Sequence, residues 1–130
     1  MATTRIEMEG IPLLKRLIDR PTTTLASWVV PPKGMGMPPL LCQSDSWLVV
    51  SGIEASADDA KSAEEAARYA KVVVGVMSHG SFGWELCKTI LVPPRQDVHV
   101  TLYDCLTSCP VRVALLGWVV PKEQFKECMP

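Results

Sequence analysis

Two thiols separated by three residues are the first feature of this 130-residue chain that could do chemistry. Cys105 and Cys109 enclose Leu-Thr-Ser, and thiolates ligate zinc and act as nucleophiles in disulfide exchange. The spacing is one residue longer than the usual Cys-x-x-Cys. We therefore prefer a turn between two strands, and we keep metal binding by Cys105 and Cys109, their pairing, and a thiol enzyme that also draws on Cys87 as alternatives.

The segment from Ser78 to Trp84 is the second candidate. A Gly-x-Ser-x-Gly nucleophile elbow requires glycine where His79 stands, so the segment departs from that motif. Residues 80–84, Gly-Ser-Phe-Gly-Trp, resemble the phosphate-binding loop of flavodoxin-like flavoproteins, where Gly-Ser-Tyr-Gly-Trp follows a strand. The five-residue resemblance implies flavin binding, whereas a helix-to-strand turn explains the two glycines by positive φ. We prefer the turn and expect no cofactor, and the candidates for the rim of a small-ligand pocket are Ser78, His79, Gly80, Ser81, Phe82, Gly83 and Trp84.

Large apolar side chains are the candidates for protein contacts. Met35 and Met37 lie in a loop, residues 31–39, rich in proline and glycine, and flexible methionines adapt to apolar surfaces. Trp28 and Trp118 each stand near the end of a predicted strand, where tryptophan anchors either an interface or the core. We assign all four residues to an interaction surface, with core packing of the tryptophans as the alternative.

Composition limits the classes of function. Thirteen basic and fourteen acidic residues give a net charge of −1, so no net field draws the chain to nucleic acid. At 48% hydrophobic residues, the chain is too apolar for disorder and somewhat apolar for a small monomer. Five irregularly spaced cysteines favour free thiols in a reducing compartment. With no signal peptide and no apolar run near the roughly 20 residues of a membrane span, we expect a soluble, cytoplasmic protein without a transmembrane segment.

Strands are predicted by a cassette that occurs three times, an apolar run that stops at proline and is followed by a basic residue. The copies occupy residues 28–33, 90–95 and 118–122. Aromatic and β-branched residues favour strands, and proline ends them because it lacks a backbone donor. With the apolar runs around them, these copies predict five strands, at residues 28–30, 46–53, 84–92, 97–103 and 111–120.

One long helix is predicted between the second and third of these strands. Apolar residues recur at intervals of three and four from Ala60 to Met77, and Ser56 is the predicted N-cap. We therefore expect a helix over about residues 57–78, ended by Gly80, with a strand over Val72–Met77 as the alternative. A short N-terminal helix is expected over residues 11–18.

Together these elements predict a single α+β domain over residues 1–130. It has a mostly antiparallel sheet of about five strands, the 57–78 helix packed on one face, and a charged C-terminal tail at 122–130 from which Phe125 docks. The favoured function is a structural or protein-interaction domain that binds itself or another protein, and we lean against an enzyme. Compact viral matrix and accessory proteins share this build, which is an analogy of architecture. A small-ligand domain with a pocket between helix and sheet near 78–84 is the alternative.

Overall fold

The computed structural model describes residues 1–7, 21–31, 45–75, 77–81, 89–101 and 107–128. Over these residues the protein is mostly antiparallel sheet with two short helices. In chain order the elements are β1 (Ala2–Glu7), β2 (Thr23–Val30), β3 (Ser46–Ala57), α1 (Ala60–Tyr69), β4 (Lys71–Val74), β5 (Met77–Ser81), β6 (Ile90–Val92), β7 (Val98–Thr101), β8 (Val111–Pro121) and α2 (Lys122–Cys128).

The strands form two sheets instead of the single predicted one. The larger sheet has the order β1-β3-β8-β2, and β6 pairs with the first part of β3, just beyond the end of β1. The smaller sheet has the order β5-β4-β7. All these pairings are antiparallel, and the long strands β3 and β8 lie at the centre of the larger sheet with Ile53 opposite Leu115. The predicted strands over 46–53 and 111–120 are thus confirmed, both in central positions.

The long helix predicted over residues 57–78 is wrong. α1 ends at Tyr69, and β4 begins two residues later, with Val72 opposite Val100 of β7. Three consecutive valines at 72–74 favour a pleated strand over a helix because β-branched side chains lose rotamer freedom in a helix. The predicted N-cap, Ser56, lies inside β3, and Asp59 caps the helix instead. The alternative strand interpretation of the Val72 segment is the correct one for residues 72–74.

A tight hairpin replaces the predicted end of the long helix. Val74 and Met77 are paired across a two-residue connection in which Gly75 has φ +60°. This left-handed conformation is one that glycine adopts without steric cost. The Gly75 amide also donates to the Asp97 carbonyl at 2.8 Å, which fastens the hairpin to the start of β7. Gly80, the predicted helix stop, lies within β5.

The main core joins both sheets and α1. Ala63, Ala66 and Ala67 of α1 are fully buried in the same cluster as Ile53 of β3 and Val100 of β7. Small side chains bring the helix backbone close to the sheet, so the alanine-rich spacing was correctly assigned to a packed helix face. It belongs, however, to a helix of ten residues.

A β-bulge at Ser51 keeps β3 in register with this core. The pairing with β8 shifts between Val50 and Gly52, so that Val50 and Ile53 lie in one cluster although they are three positions apart. Strict alternation would place them on opposite faces, and one extra residue restores the match. Gly117 of β8 pairs with Val50 at this point, where a Cβ on Gly117 would lie 1.9 Å from the Val49 carbonyl oxygen.

A second, smaller cluster lies on the other face of the larger sheet. Its buried members are Val49, Val120 and Phe125, the last from α2, with Trp47, Leu91 and Trp118 packed against them. The rings of Trp47 and Phe125 stack with centroids 4.1 Å apart and an interplanar angle of 8°. The docking of Phe125 is confirmed, whereas the predicted charged tail forms a helix as far as Cys128.

Three strands end at proline as predicted, since β2 and β6 stop before Pro31 and Pro93 and β8 stops at Pro121. The N-terminal helix predicted over residues 11–18 and most of the 31–39 loop lie outside the described residues. Residues 2–7 form a strand that was not predicted. Within the described ranges, no helix is long and apolar enough to cross a membrane.

Candidate functional site

The candidate residues from the sequence do not form one site in the described structure. Ser78, His79, Gly80 and Ser81 lie along β5 and not in a turn, while Phe82, Gly83 and Trp84 fall outside the described residues. Cys109 is half-buried and packs against the main core, while Cys87, Cys105, Met35 and Met37 also lie outside the description. Pairing of Cys105 with Cys109 therefore stays a prediction.

The two tryptophans assigned to an interaction surface belong to different clusters. Trp28 is half-buried against the main core, and Trp118 is half-buried against the second cluster on the opposite face. Both side chains therefore do the packing that was given as the alternative. Neither the described cysteines nor the other described residues form a group of three or more potential metal ligands.

The densest polar cluster was not predicted and lies at the start of α1. Asp59 accepts from the Lys61 amide at 3.2 Å and from the hydroxyls of Ser62 and Ser108 at 3.0 and 2.9 Å. The Ser108 amide in turn donates to the Ser62 hydroxyl at 3.0 Å. The hydrogen bonds from Ser108 and then Ser62 hold the pKa of the Asp59 carboxyl below its ordinary value of 3.8.

The directions of the two serine hydroxyl protons limit what this cluster can do. Each serine hydroxyl carries one proton, and both protons point to Oδ2 of Asp59, so neither is available for the 3.1 Å contact between the two hydroxyls. A carboxylate with a lowered pKa is also a weak base. The arrangement therefore satisfies free backbone amides in the first turn of α1, as an N-cap does. It also joins the turn before β8 to the start of the helix.

An open cleft of about 320 Å³ lies beside this cap and is lined by Asp59, Lys61, Ser62, Glu65 and Ser108. Its location differs from the ligand pocket predicted near 78–84. Two of its polar side chains, Ser62 and Ser108, are already engaged with Asp59. The cleft is therefore partly a product of the cap geometry, and the two serine hydroxyls on its wall are not free to donate to a ligand.

A different feature stands out at the edge of the larger sheet. β2 is the terminal strand beside β8, and none of the described strands pairs with its outer edge. It has eight residues, more than any other edge strand in the described ranges, and the sequence has no charge from Pro21 to Pro32. The opposite edge strand, β1, carries Arg5 and Glu7. Charges on edge strands discourage pairing with other chains, and β2 has none of them.

The regular part of β2 is shorter than the strand. Its register with β8 shifts between Thr24 and Ala26, which leaves Ala26–Val30 evenly paired on the inner side. We call this five-residue stretch the β2 edge. Val29 is the exposed large apolar residue of this stretch. Its side chain is 62% exposed and lies opposite the exposed Arg112 of β8.

No family model, curated protein or solved structure matches this chain. A proposal for its function therefore rests on the chemistry of the described residues. Sequence reasoning missed Val29 because the cassette that contains it was interpreted as a strand with a hard stop. The uncharged run from Pro21 to Pro32 was the available signal.

Proposed function

We propose that this protein is a self-associating interaction domain and that the β2 edge pairs with the β2 edge of a second copy. The observation that supports this proposal is the uncharged outer edge of β2, which no strand in the described part of the chain covers. Backbone amides and carbonyls along such an edge are available to a further strand. The high apolar content of the chain is consistent with a surface that is covered on assembly.

Symmetry favours a second copy as the partner. Two antiparallel β2 edges would be related by a two-fold axis, so each residue would face a residue of the same strand. A charge at or next to the two-fold axis would then meet its own copy at close range, which is destabilising. Because β2 has no charged residue, this penalty does not arise.

The contact is expected to be weak when it acts alone. Five residues form a small interface, well below the size of a stable complex, and association also costs rotational and translational freedom. We therefore expect a dissociation constant above about 1 μM. Association at such concentrations suits a protein that works as an assembled array or through several contacts at once.

Val29→Glu is the sharpest test of this contact. In the monomer the new carboxylate lies opposite Arg112, so the fold gains a cross-strand pair of opposite charge. In a dimer whose two-fold axis passes at or next to residue 29, the two new carboxylates are brought together. We expect at least a tenfold weaker association by sedimentation velocity, with an unchanged circular dichroism spectrum.

Val119→Glu is the matched control. Val119 is 57% exposed, close to the 62% of Val29, but it lies on the central strand β8. This variant should associate like the original chain. Equal association of the Val29→Glu variant and the original chain, or a strictly monomeric original chain at high concentration, would remove the proposal.

A further inference from the structure

Among the α2 side chains that the structure describes, one attaches this C-terminal helix to the sheet. Lys122, Glu123 and Gln124 are exposed, and Phe125 is 5% exposed, so it is the buried member among the helix side chains that the structure describes. An isolated helix of seven residues is not stable in water. Burial of one aromatic ring offsets only part of the entropy lost when seven residues become ordered. α2 should therefore detach at a low free-energy cost compared with the sheet beneath it.

The surface under α2 is built to hold an aromatic ring. We call it the α2 docking surface, and it consists of Trp47, Val49, Leu91, Trp118 and Val120. Trp47 stacks on Phe125 at 4.1 Å with nearly parallel planes. When α2 detaches, two tryptophans and three aliphatic side chains become more exposed, which favours renewed covering by an aromatic group.

The connection between β8 and α2 is very short. β8 ends at Pro121 and α2 begins at Lys122, so no loop residue lies between strand and helix. Short hinges of this kind favour exchange of the terminal element between copies. A chain that turns back without loop residues is strained, and extending the terminal element into a neighbouring copy relieves that strain. Every copy carries the same helix and the same docking surface.

From these observations we infer that α2 is exchanged between two copies, with Phe125 of each copy stacked on Trp47 of the other. The inference rests on the proposed self-association and identifies a second contact, on the face of the sheet and separate from the β2 edge. The exchanged contact is the one already seen within a single chain, so it requires no new surface.

Complementation between two full-length variants tests the exchange. Phe125→Ala has an intact docking surface and no anchor, whereas Trp47→Ala has an intact anchor and a damaged surface. Both variants also carry Val29→Glu, so that pairing of β2 edges does not contribute. We expect the mixture to form a one-to-one complex with at least about tenfold tighter association than either variant alone, as measured by sedimentation velocity.

A matched control replaces the exposed neighbour of the anchor. A Gln124→Ala, Val29→Glu variant keeps both its anchor and its docking surface, so it should exchange α2 with a second copy of itself, and its mixture with the Trp47→Ala variant should give no more than about a tenth of the mixed complex. If Trp47→Ala does not fold, Trp47→Leu removes the ring stack while it keeps an apolar side chain. Folded variants that do not complement overturn the exchange, and the proposed β2 contact is judged separately by the Val29→Glu and Val119→Glu pair.

Discussion

Gly117 allows the two central strands to approach each other at the bulge, and its replacement by alanine is the most direct test of that geometry. A Cβ built on Gly117 lies 1.9 Å from the carbonyl oxygen of Val49 and 2.9 Å from its carbonyl carbon. Non-bonded carbon and oxygen atoms rarely approach closer than about 3.3 Å. The backbones of β3 and β8 must therefore move apart by more than about 1 Å.

The expected cost follows from this displacement. Overpacking of a buried position costs about 1–3 kcal/mol, and a weakened backbone hydrogen bond adds about 0.5–1.5 kcal/mol. The loss of unfolded-state freedom on replacing glycine with alanine returns about 0.4–1 kcal/mol. We therefore expect Gly117→Ala to lower the free energy of unfolding by about 2 kcal/mol.

Urea unfolding followed by tryptophan fluorescence measures this loss as a drop of about 1 M in the transition midpoint. Gly52→Ala is the internal comparison, because its Cβ would lie 2.5 Å from the Ile6 carbonyl oxygen. Ile6 belongs to the edge strand β1, which can move outward, so we expect a smaller loss of about 1 kcal/mol. A Gly117→Ala variant as stable as the original chain, or more stable than Gly52→Ala, would refute the close approach of β3 and β8.

Two further predictions concern the start of α1 and the β4–β5 hairpin. The pKa of Asp59 is lowered by folding, so its stabilising effect is complete above the unfolded value near 3.8 and disappears as the pH falls through the folded value. The stability difference between the original chain and Asp59→Asn should therefore shrink between pH 5 and pH 3 in urea titrations, and a constant difference would contradict the hydrogen bonds from Ser62 and Ser108. Gly75→Ala places a side chain at φ +60° and should lower the free energy of unfolding by about 1 kcal/mol. Gly75→Asn should lower it less, because asparagine tolerates this region. Equal thermal midpoints for the two variants would contradict the left-handed conformation of Gly75.

Elements dominated by local preference were predictable from the sequence. The β-branched runs that stop at Pro31, Pro93 and Pro121 form strands because the side-chain preference and the missing donor of proline act locally. Simple alternation in the strand predicted over residues 97–103 puts Val98 and Val100 on one face, and both are fully buried. Phe125 was identified as the docking residue because it is the one large apolar side chain from Lys122 to Glu127.

The long helix was mispredicted because one apolar spacing was continued through two kinds of structure. Val74 extends the three-and-four pattern of the alanines, but it pairs with Val98 of β7, a partner 24 residues further along the chain. Such a tertiary preference is not visible in the local pattern. The hydrogen bond from Ser108 to the Asp59 cap could not be predicted either, because Ser108 reaches it from a turn 49 residues away.

The order of pairing in the larger sheet has a consequence for synthesis. Thr23 of β2 and its partner Gly117 are separated by 94 residues, so β2 leaves the ribosome long before β8 exists. During that interval this uncharged, aromatic-containing strand lacks its neighbour β8. Folding dominated by such distant pairings is slow, and exposed strands associate with other chains in the meantime. Chains made side by side on one messenger would therefore meet before β2 has paired with β8.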